Sequence, residues 1–396
     1  MILRARCGKI ITEVFMNEFL KLIGVTDTQI DLFEGQYVVP EGMRYNSYIL
    51  TDEKIAVFDT VDGHFTGEWL KNLEKALNGK TPDYLVVLHL EPDHSASITA
   101  FMQKYSAATI VSSQKAFVMM KNYYGDEYEN RRIVIAEGST LSLGSHEITF
   151  VAAPMVHWPE VMLAYETTDK LLFSADAFGK FGATDSTNDW ACEARRYYFG
   201  IVGKYGVQVQ SLLKKLAGKP INAILPLHGP VLENNLGYYV NLYDKWSKYE
   251  AEDEGVTIAY TSVYGHTKQA AEKLAEELKT RGVTVAMHDL SRCDMSEAVE
   301  DAFRYNKLVL ATTTYNGDVF PFMRTFIDAL TERNYQNRTI GFIENGSWAP
   351  IAAKIMSGMF EKSKNITFTT AGVKILSAVS PLNLAEIAAL ADELSK

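Results

Sequence analysis

Cysteine is nearly absent from this chain. Three occur in 396 residues, Cys7, Cys192 and Cys293, far apart and in no C-x-x-C arrangement. That excludes a disulfide framework and a built-in four-thiolate metal site, and it makes reduced thiols in a cytoplasmic protein the expectation. Long apolar runs are missing too; none approaches the ~18 residues of a membrane span. The opening "MILRARCGKIITEVF" carries early positive charge but no sustained apolar core, so no signal peptide is expected. Positive charge is in deficit: 39 Lys and Arg stand against 49 Asp and Glu, a formal net charge of −10. Nucleic acid and anionic membrane surfaces are therefore poor partners. Internal repeats and low-complexity segments are lacking as well. What remains, 47% hydrophobic and 22% charged, is an ordinary globular composition whose length predicts two domains.

The first part reads as short strands at close spacing: 45–50, 54–59, 84–88, 132–136, 148–152, 161–165, 171–174 and 223–226. β-Branched and aromatic residues dominate these runs and turn formers separate them, with a helical pattern over Thr66–Leu77. Near residue 250 the pattern changes. "KWSKYEAEDEG" is polar and charged, and after it strands (256–260, 284–288, 308–311, 339–343, 374–379) alternate with amphipathic helices. Ala270, Ala271, Leu274, Ala275 and Leu278 form one apolar stripe that Gly282 ends. Five strands with crossover helices predict a parallel, doubly wound sheet. The domains are placed at 1–253 and 254–396.

The stretch "LHLEPDHSAS" crowds His89, Glu91, Asp93 and His94 into six positions after an apolar run. His157 closes "FVAAPMVH", Asp176 closes "LLFSAD" and His228 closes "AILPLHG". A polar group just past a strand can face a shared site while the strand buries its apolar residues. Isolated histidines such as His64, His146 and His288 are read as satisfied polar groups. Seven ligand-type residues exceed the four that one tetrahedral zinc takes. They suit two ions: His89, Glu91 and His157 on one side, Asp93, His94 and His228 on the other, with Asp176 bridging. Carboxylates and imidazoles without thiolate fit iron or manganese as well as zinc. Glu91 stands where a zinc hydrolase offers a neutral histidine. Its charge stabilises a ferric ion and favours redox chemistry over hydrolysis.

In the second part "IAYTSVYGHTKQAAEKL" reads as strand, loop, helix. Thr261, Ser262, Tyr264, Gly265, His266 and Thr267 lie at the junction, where backbone N–H groups, hydroxyls and the helix N-terminus make an anion site. With a single glycine it is neither a Walker loop nor a dinucleotide fingerprint. "TTTYNGDVF" supplies Thr313, Thr314, Tyr315, Asn316 and Gly317; "ENGSWAP" supplies Asn345, Gly346, Ser347 and Trp348. A phosphate loop flanked by two aromatic-bearing loops at the carboxyl edge of a doubly wound sheet suits a flat ring system such as flavin.

At this point the chain resembles the flavodiiron proteins from about Ile30 onward. The resemblance rests on His89-x-Glu91-x-Asp93-His94 followed by His157, Asp176 and His228, and on "YNSYIL", "HWPEVMLAYE" and "NGSWAP". It implies a metallo-β-lactamase-like αββα sandwich carrying a non-haem di-iron site, followed by a flavodoxin-like domain carrying FMN, in the minimal two-domain class. It also implies reduction of O2 to water or of NO to N2O, electrons from a small donor such as rubredoxin, and a head-to-tail homodimer or a dimer of dimers. Two positions depart from many relatives: Glu34 replaces a histidine in "DLFEG", and His266 replaces an asparagine in the phosphate loop. The rival in another class is a dinuclear zinc hydrolase of the same fold with an appended flavodoxin domain.

Overall fold

The apolar runs of the first part pair into two sheets. One has six strands in the order Leu20–Leu22, Tyr48–Thr51, Ile55–Phe58, Tyr84–Val86, Thr109–Ser113 and Arg132–Ile135. The other has five: Thr140–Ser142, Glu147–Ala152, Met162–Glu166, Leu171–Phe173 and Ala223–Leu225. The computed structural model describes residues 18–396 except 127 and 189. Cys7 and the first fifteen residues, which the resemblance leaves without a counterpart, lie outside the described residues.

The two sheets meet through their apolar faces. Phe58 of the first stacks on Phe173 of the second at 3.8 Å, and Tyr48 packs edge-on against the same ring at 5.7 Å. Ile55–Phe58 and Leu171–Phe173 are buried at every residue, as strands covered on both sides require. The helix Thr66–Leu77 buries Trp69, Leu73, Ala76 and Leu77, a stripe at helical spacing. It ends where Asn78 turns left-handed (φ 46°).

Strand direction decides where the polar ends fall. Leu171–Phe173 and Ala223–Leu225 run parallel. Glu147–Ala152 is antiparallel to Met162–Glu166, which is antiparallel to Leu171–Phe173, so it runs with the other two. Three strands thus deliver their carboxyl ends to one rim, and those ends lead to His157, Asp176 and His228.

The third sheet holds the second half. Its order is Val285–Asp289, Asp253–Tyr260, Tyr305–Tyr315, Arg338–Asn345 and Ile366–Phe368, and Val373–Ile375 also pairs with Arg338–Asn345. All these pairings are parallel. Second strand, first, third, fourth, fifth is the flavodoxin-type doubly wound order. Its core joins Ile258, Val309 and Ile343 of the central strands to Ala270, Leu274 and Leu278 of the helix His266–Thr280. The described residues pack as two compact units that do not follow a single cut: those up to Ala194 with 211–239, and 195–210 with 240–396. In the second unit Arg195 is clamped by Glu252 (2.6 and 2.7 Å) and Glu300 (2.6 Å).

Candidate metal centre and cofactor pocket

The run Tyr84–Val86 ends in the loop carrying His89 and Glu91, and a single helical turn, Pro92–Ser95, then presents Asp93 and His94. His157, Asp176 and His228 arrive from the rim of the facing sheet. All seven residues come together. The ligand-type atoms of His89, Glu91, His157 and Asp176 lie within 4.8 Å of one another, and so do those of Asp93, His94 and His228. Six of the seven residues are buried, and the Glu91 side chain is 14% exposed.

Asp176 joins the two groups. Its Oδ2 is 3.0 Å from His157 Nε2 and 3.4 Å from His89 Nε2. Its Oδ1 is 3.1 Å from His94 Nε2 and 3.8 Å from His228 Nε2. On one side Glu91 Oε2 sits 3.0 Å from His157 Nε2 and 3.3 Å from His89 Nε2. On the other Asp93 Oδ2 sits 3.3 Å from both His94 Nε2 and His228 Nε2.

These spacings fit a cation better than hydrogen bonds. His89 and His157 oppose their Nε2 atoms at 3.2 Å, and His94 and His228 at 3.0 Å. The same nitrogens also face carboxylates, so shared protons cannot serve every contact. Ligands bonded at about 2.1 Å lie about 3.0 Å apart along an octahedral edge and about 3.4 Å along a tetrahedral one. The contacts within each group fall in that range. Among the described residues, both Asp93 oxygens and Asp176 Oδ1 lack a hydrogen-bond partner although buried. Buried orphan acceptors of that kind need an explanation, and an ion supplies one.

The electrostatics agree. Burial opposes charge throughout, yet the imidazoles hold the Asp176 and Glu91 carboxyls below the usual carboxylate range. Burial likewise disfavours the imidazolium forms, but Asp176 and its neighbours raise His89 well above the ordinary value and push His157 up to about 9. Carboxylates that stay anionic and imidazoles that collect protons describe a nest built for positive charge.

Neighbouring groups fix the ligands. His89 Nδ1 meets Glu160 Oε1 at 2.9 Å, and the same oxygen accepts the Leu90 N–H at 2.9 Å. His228 Nδ1 donates to the Arg44 carbonyl at 2.8 Å. In each ring this leaves Nε2 for the site. Asp59, fully buried, accepts the N–H groups of Leu88 (2.7 Å) and His89 (3.2 Å), and burial pushes its carboxyl up to about 7. The "YNSYIL" segment ties down the His228 loop. Asn46 donates to the carbonyls of Pro226 and Gly229, and the Tyr48 hydroxyl to Pro226. Gly229 has φ +79°, and a Cβ there would meet Lys180 Cγ at 2.8 Å, so the residue after His228 must be glycine. Met155 and Ala175, beside His157 and Asp176, also hold positive φ, 63° and 49°. Such backbone costs of order 1–3 kcal/mol and persists where packing over-determines it. Phe33, Tyr45 and Trp158 line the site with rings 5.3–5.8 Å from His89 or His228.

The second site is a cavity of about 760 Å³ at the carboxyl edge of the parallel sheet. Ser262, Tyr264, His266 and Thr267 line it from the first loop, Thr313–Gly317 from the second, and Asn345–Trp348 from the third. Val263, Ala349, Ile351 and Ser377 also line it, and the sequence reading does not include them. Thr261 and Gly265 stand back: the Thr261 hydroxyl pairs with Thr312 Oγ1 at 2.6 Å, and Gly265 is the helix N-cap (φ 90°). Asn316 and Gly317, with φ 51° and 73°, make the tight turn of a small hairpin. Asn345 donates to the Ser377 carbonyl (3.1 Å) and accepts its N–H (3.2 Å), pinning the third loop to the last. Tyr264 and Trp348 are 89% and 82% exposed. Large exposed rings beside a polar cavity suit a planar ligand carrying an anionic tail at the helix N-terminus.

Comparison with known proteins agrees with both halves. The ODP family beta lactamase model matches residues 43–229, and a flavodoxin domain model matches residues 257–367. The flavodiiron protein of Giardia intestinalis superposes with a TM-score of 0.90 at 24% identity, covering 98% of this chain and 97% of that one. The chain shares its fold and its two domain types, in the same order, with flavodiiron proteins.

Other proteins are similar to this chain over most of their length. The rubredoxin:oxygen oxidoreductase of Desulfovibrio gigas has a TM-score of 0.89 at 24% identity, over 97% of this chain and 98% of that one. An anaerobic nitric oxide reductase flavorubredoxin of Salmonella arizonae is 27% identical over 362 residues, 87% of this chain and 75% of that one. An uncharacterised protein of Methanocaldococcus jannaschii is 28% identical over 311 residues, 77% and 78% of the two chains. Among the described residues no helix is long and apolar enough to cross a membrane.

Proposed function

We propose that this chain is a flavodiiron oxidoreductase that reduces dioxygen to water, nitric oxide to nitrous oxide, or both. His89, Glu91, His157 and Asp176 would hold one iron, and Asp93, His94, His228 and Asp176 the other. The cavity of the second unit would hold FMN, which when bound would accept electrons from a small donor such as rubredoxin. The observation that carries this reading is the Asp176 carboxylate, with one oxygen in each ligand group, beside an anionic Glu91 where a hydrolytic zinc pair favours imidazole.

When bound, two ferrous ions and a reduced flavin would together supply the four electrons that O2 and four protons need to become two waters; two NO and two protons need only two electrons to give N2O and water. The chain's own residues supply the setting. Glu160 and the Arg44 carbonyl fix two imidazoles so that Nε2 faces the site. The rings of Phe33, Tyr45 and Trp158 admit a small uncharged gas more readily than a hydrated ion. Glu34 is solvent-exposed as a residue, yet desolvation of its carboxyl first and the charge of Glu91 second push that carboxyl up to about 7. In the second unit hydroxyls and the N-terminus of His266–Thr280 would hold the phosphate, and Tyr315 and Trp348 would line the place of the ring.

Likeness to the nitric oxide reductase of Salmonella arizonae and the rubredoxin:oxygen oxidoreductase of Desulfovibrio gigas supports both gases and the rubredoxin-type donor. A cytoplasmic, head-to-tail homodimer completes the reading. The experiment is metal and flavin analysis of anaerobically purified protein with an assay of each gas. Two irons and one FMN per chain with gas consumption support the proposal. Two zincs and an inert response to both gases refute it.

A further inference from the structure

We propose that the two metal positions are unequal and fill in a fixed order: a divalent cation settles first among His89, Glu91, His157 and Asp176, while the Asp93, His94 and His228 position takes its ion second and gives it up first. This rests on the two-ion reading of the site.

Formal charge does not separate the positions. Each group has two imidazoles and one carboxylate of its own, and Asp176 turns one oxygen to each. Geometry does separate them. In the first group His89 Nε2 and His157 Nε2 stand 3.0–3.4 Å from each other, from Glu91 Oε2 and from Asp176 Oδ2. Those are the edges of a coordination shell with bonds of about 2.1 Å. In the second group His94 and His228 stand 3.0 Å apart and each 3.3 Å from Asp93 Oδ2. The shared oxygen fits less well: Asp176 Oδ1 is 3.1 Å from His94 but 3.8 Å from His228. An ion there must draw that oxygen in or bind without its full share of it.

The hydrogen bonds behind the rings point the same way. His89 Nδ1 meets Glu160 Oε1 at 2.9 Å, and both side chains are fully buried. A carboxylate behind a ligating imidazole fixes its tautomer and raises its basicity. Behind His228 Nδ1 stands a peptide carbonyl, that of Arg44, at 2.8 Å. His94 and His157 supply no such contrast, since neither ring has an acceptor at Nδ1 among the described residues. The difference is therefore that between the Glu160 carboxylate and a neutral carbonyl, added to the better spacing of the first group.

Repulsion between two cations weakens the second step whichever position fills first. The gap between the two steps thus decides nothing; the position filled first does. At a metal supply between the two affinities the chain would hold one ion on the Glu160 side, and the pair would assemble only when supply reaches the weaker step.

The test uses the full-length protein, stripped of metal and titrated anaerobically with cobalt(II), read by calorimetry and by competition with a coloured chelator. The proteins are wild type, His157→Ala, His228→Ala and Glu160→Gln. Wild type should take two cobalt ions per chain in separate steps. His228→Ala should keep the first step within about twofold and lose the second. His157→Ala and Glu160→Gln should each weaken the first step at least about tenfold, towards the affinity of the second position. Glu160→Gln keeps the shape of the side chain, so it decides the matter if an alanine variant does not fold. A first step weakened by His228→Ala as much as or more than by His157→Ala overturns the order, and so does a first step unmoved by Glu160→Gln. Wild type that takes up fewer than two cobalt ions overturns the two-ion reading itself.

Discussion

Asp176→Ala is the sharpest perturbation of the metal centre. Asp176 is the one side chain whose two oxygens serve the two ligand groups separately, at 3.0 Å from His157 and 3.1 Å from His94. Under the proposed assignment its removal takes one protein ligand from each ion at once. Changing a residue that merely orients a ligand costs about 10–100-fold in metal affinity. Deleting the ligand itself should cost at least about 100-fold per ion, or about 2.7 kcal/mol each. The variant should leave an anaerobic purification with well under one iron per chain. Flavin should stay near one per chain, because residues 262–377 alone line its cavity. Iron by mass spectrometry and flavin by absorbance on the same sample read both numbers. Two irons retained in Asp176→Ala would refute the bridging assignment.

Three further outcomes follow. Glu160→Gln keeps the shape but removes the anionic acceptor of His89 Nδ1, and should weaken iron about 10–100-fold with FMN unchanged, checked by competition with a chelator. Ser262→Ala with Thr267→Ala should release FMN, since each hydrogen bond to a charged group is worth about 1.5–3 kcal/mol, while iron stays; an unchanged flavin affinity would move the phosphate elsewhere. Glu300 is pushed up to about 7 by burial, against the opposing pull of Arg195. Its native form therefore binds a proton more tightly than the unfolded form, so its contribution is complete below about pH 4.5 and is lost as pH rises towards 7. Glu300→Gln should flatten that decline in urea unfolding measured across pH 4.5–7, and an identical slope in both proteins would contradict the assignment.

How much of this was legible without coordinates depends on whether the signal was local. The helix Thr66–Leu77 matches residue for residue, because a single apolar stripe defined it. The seven residues proposed as metal ligands came from one local cluster and three strand ends, and parallel strand direction brings such ends together. Asp59 also closes an apolar run. The same criterion would have found it, but its work is to accept two backbone N–H groups from a loop 29 and 30 residues away. Glu160 acts across 71 residues, and nothing in its neighbourhood announces that. The strand Thr109–Ser113 escaped because its serines look like turn formers. Ser112 is nonetheless buried and satisfies itself by donating to the Val87 carbonyl at 2.6 Å. Thr261 looked like a phosphate contact in sequence; its pairing with Thr312 depends on the register of two strands 51 residues apart.

The central claim is that the iron pair and the flavin act as one electron reservoir. The most direct measurement is the product formed when fully reduced enzyme, loaded with two irons and one FMN per chain, meets a limited amount of dioxygen under otherwise anaerobic conditions. The account expects water with little hydrogen peroxide. In protein stripped of flavin it expects the four-electron reduction to fail, while a single turnover of nitric oxide to nitrous oxide survives. Stoichiometric peroxide from the fully loaded enzyme would contradict it.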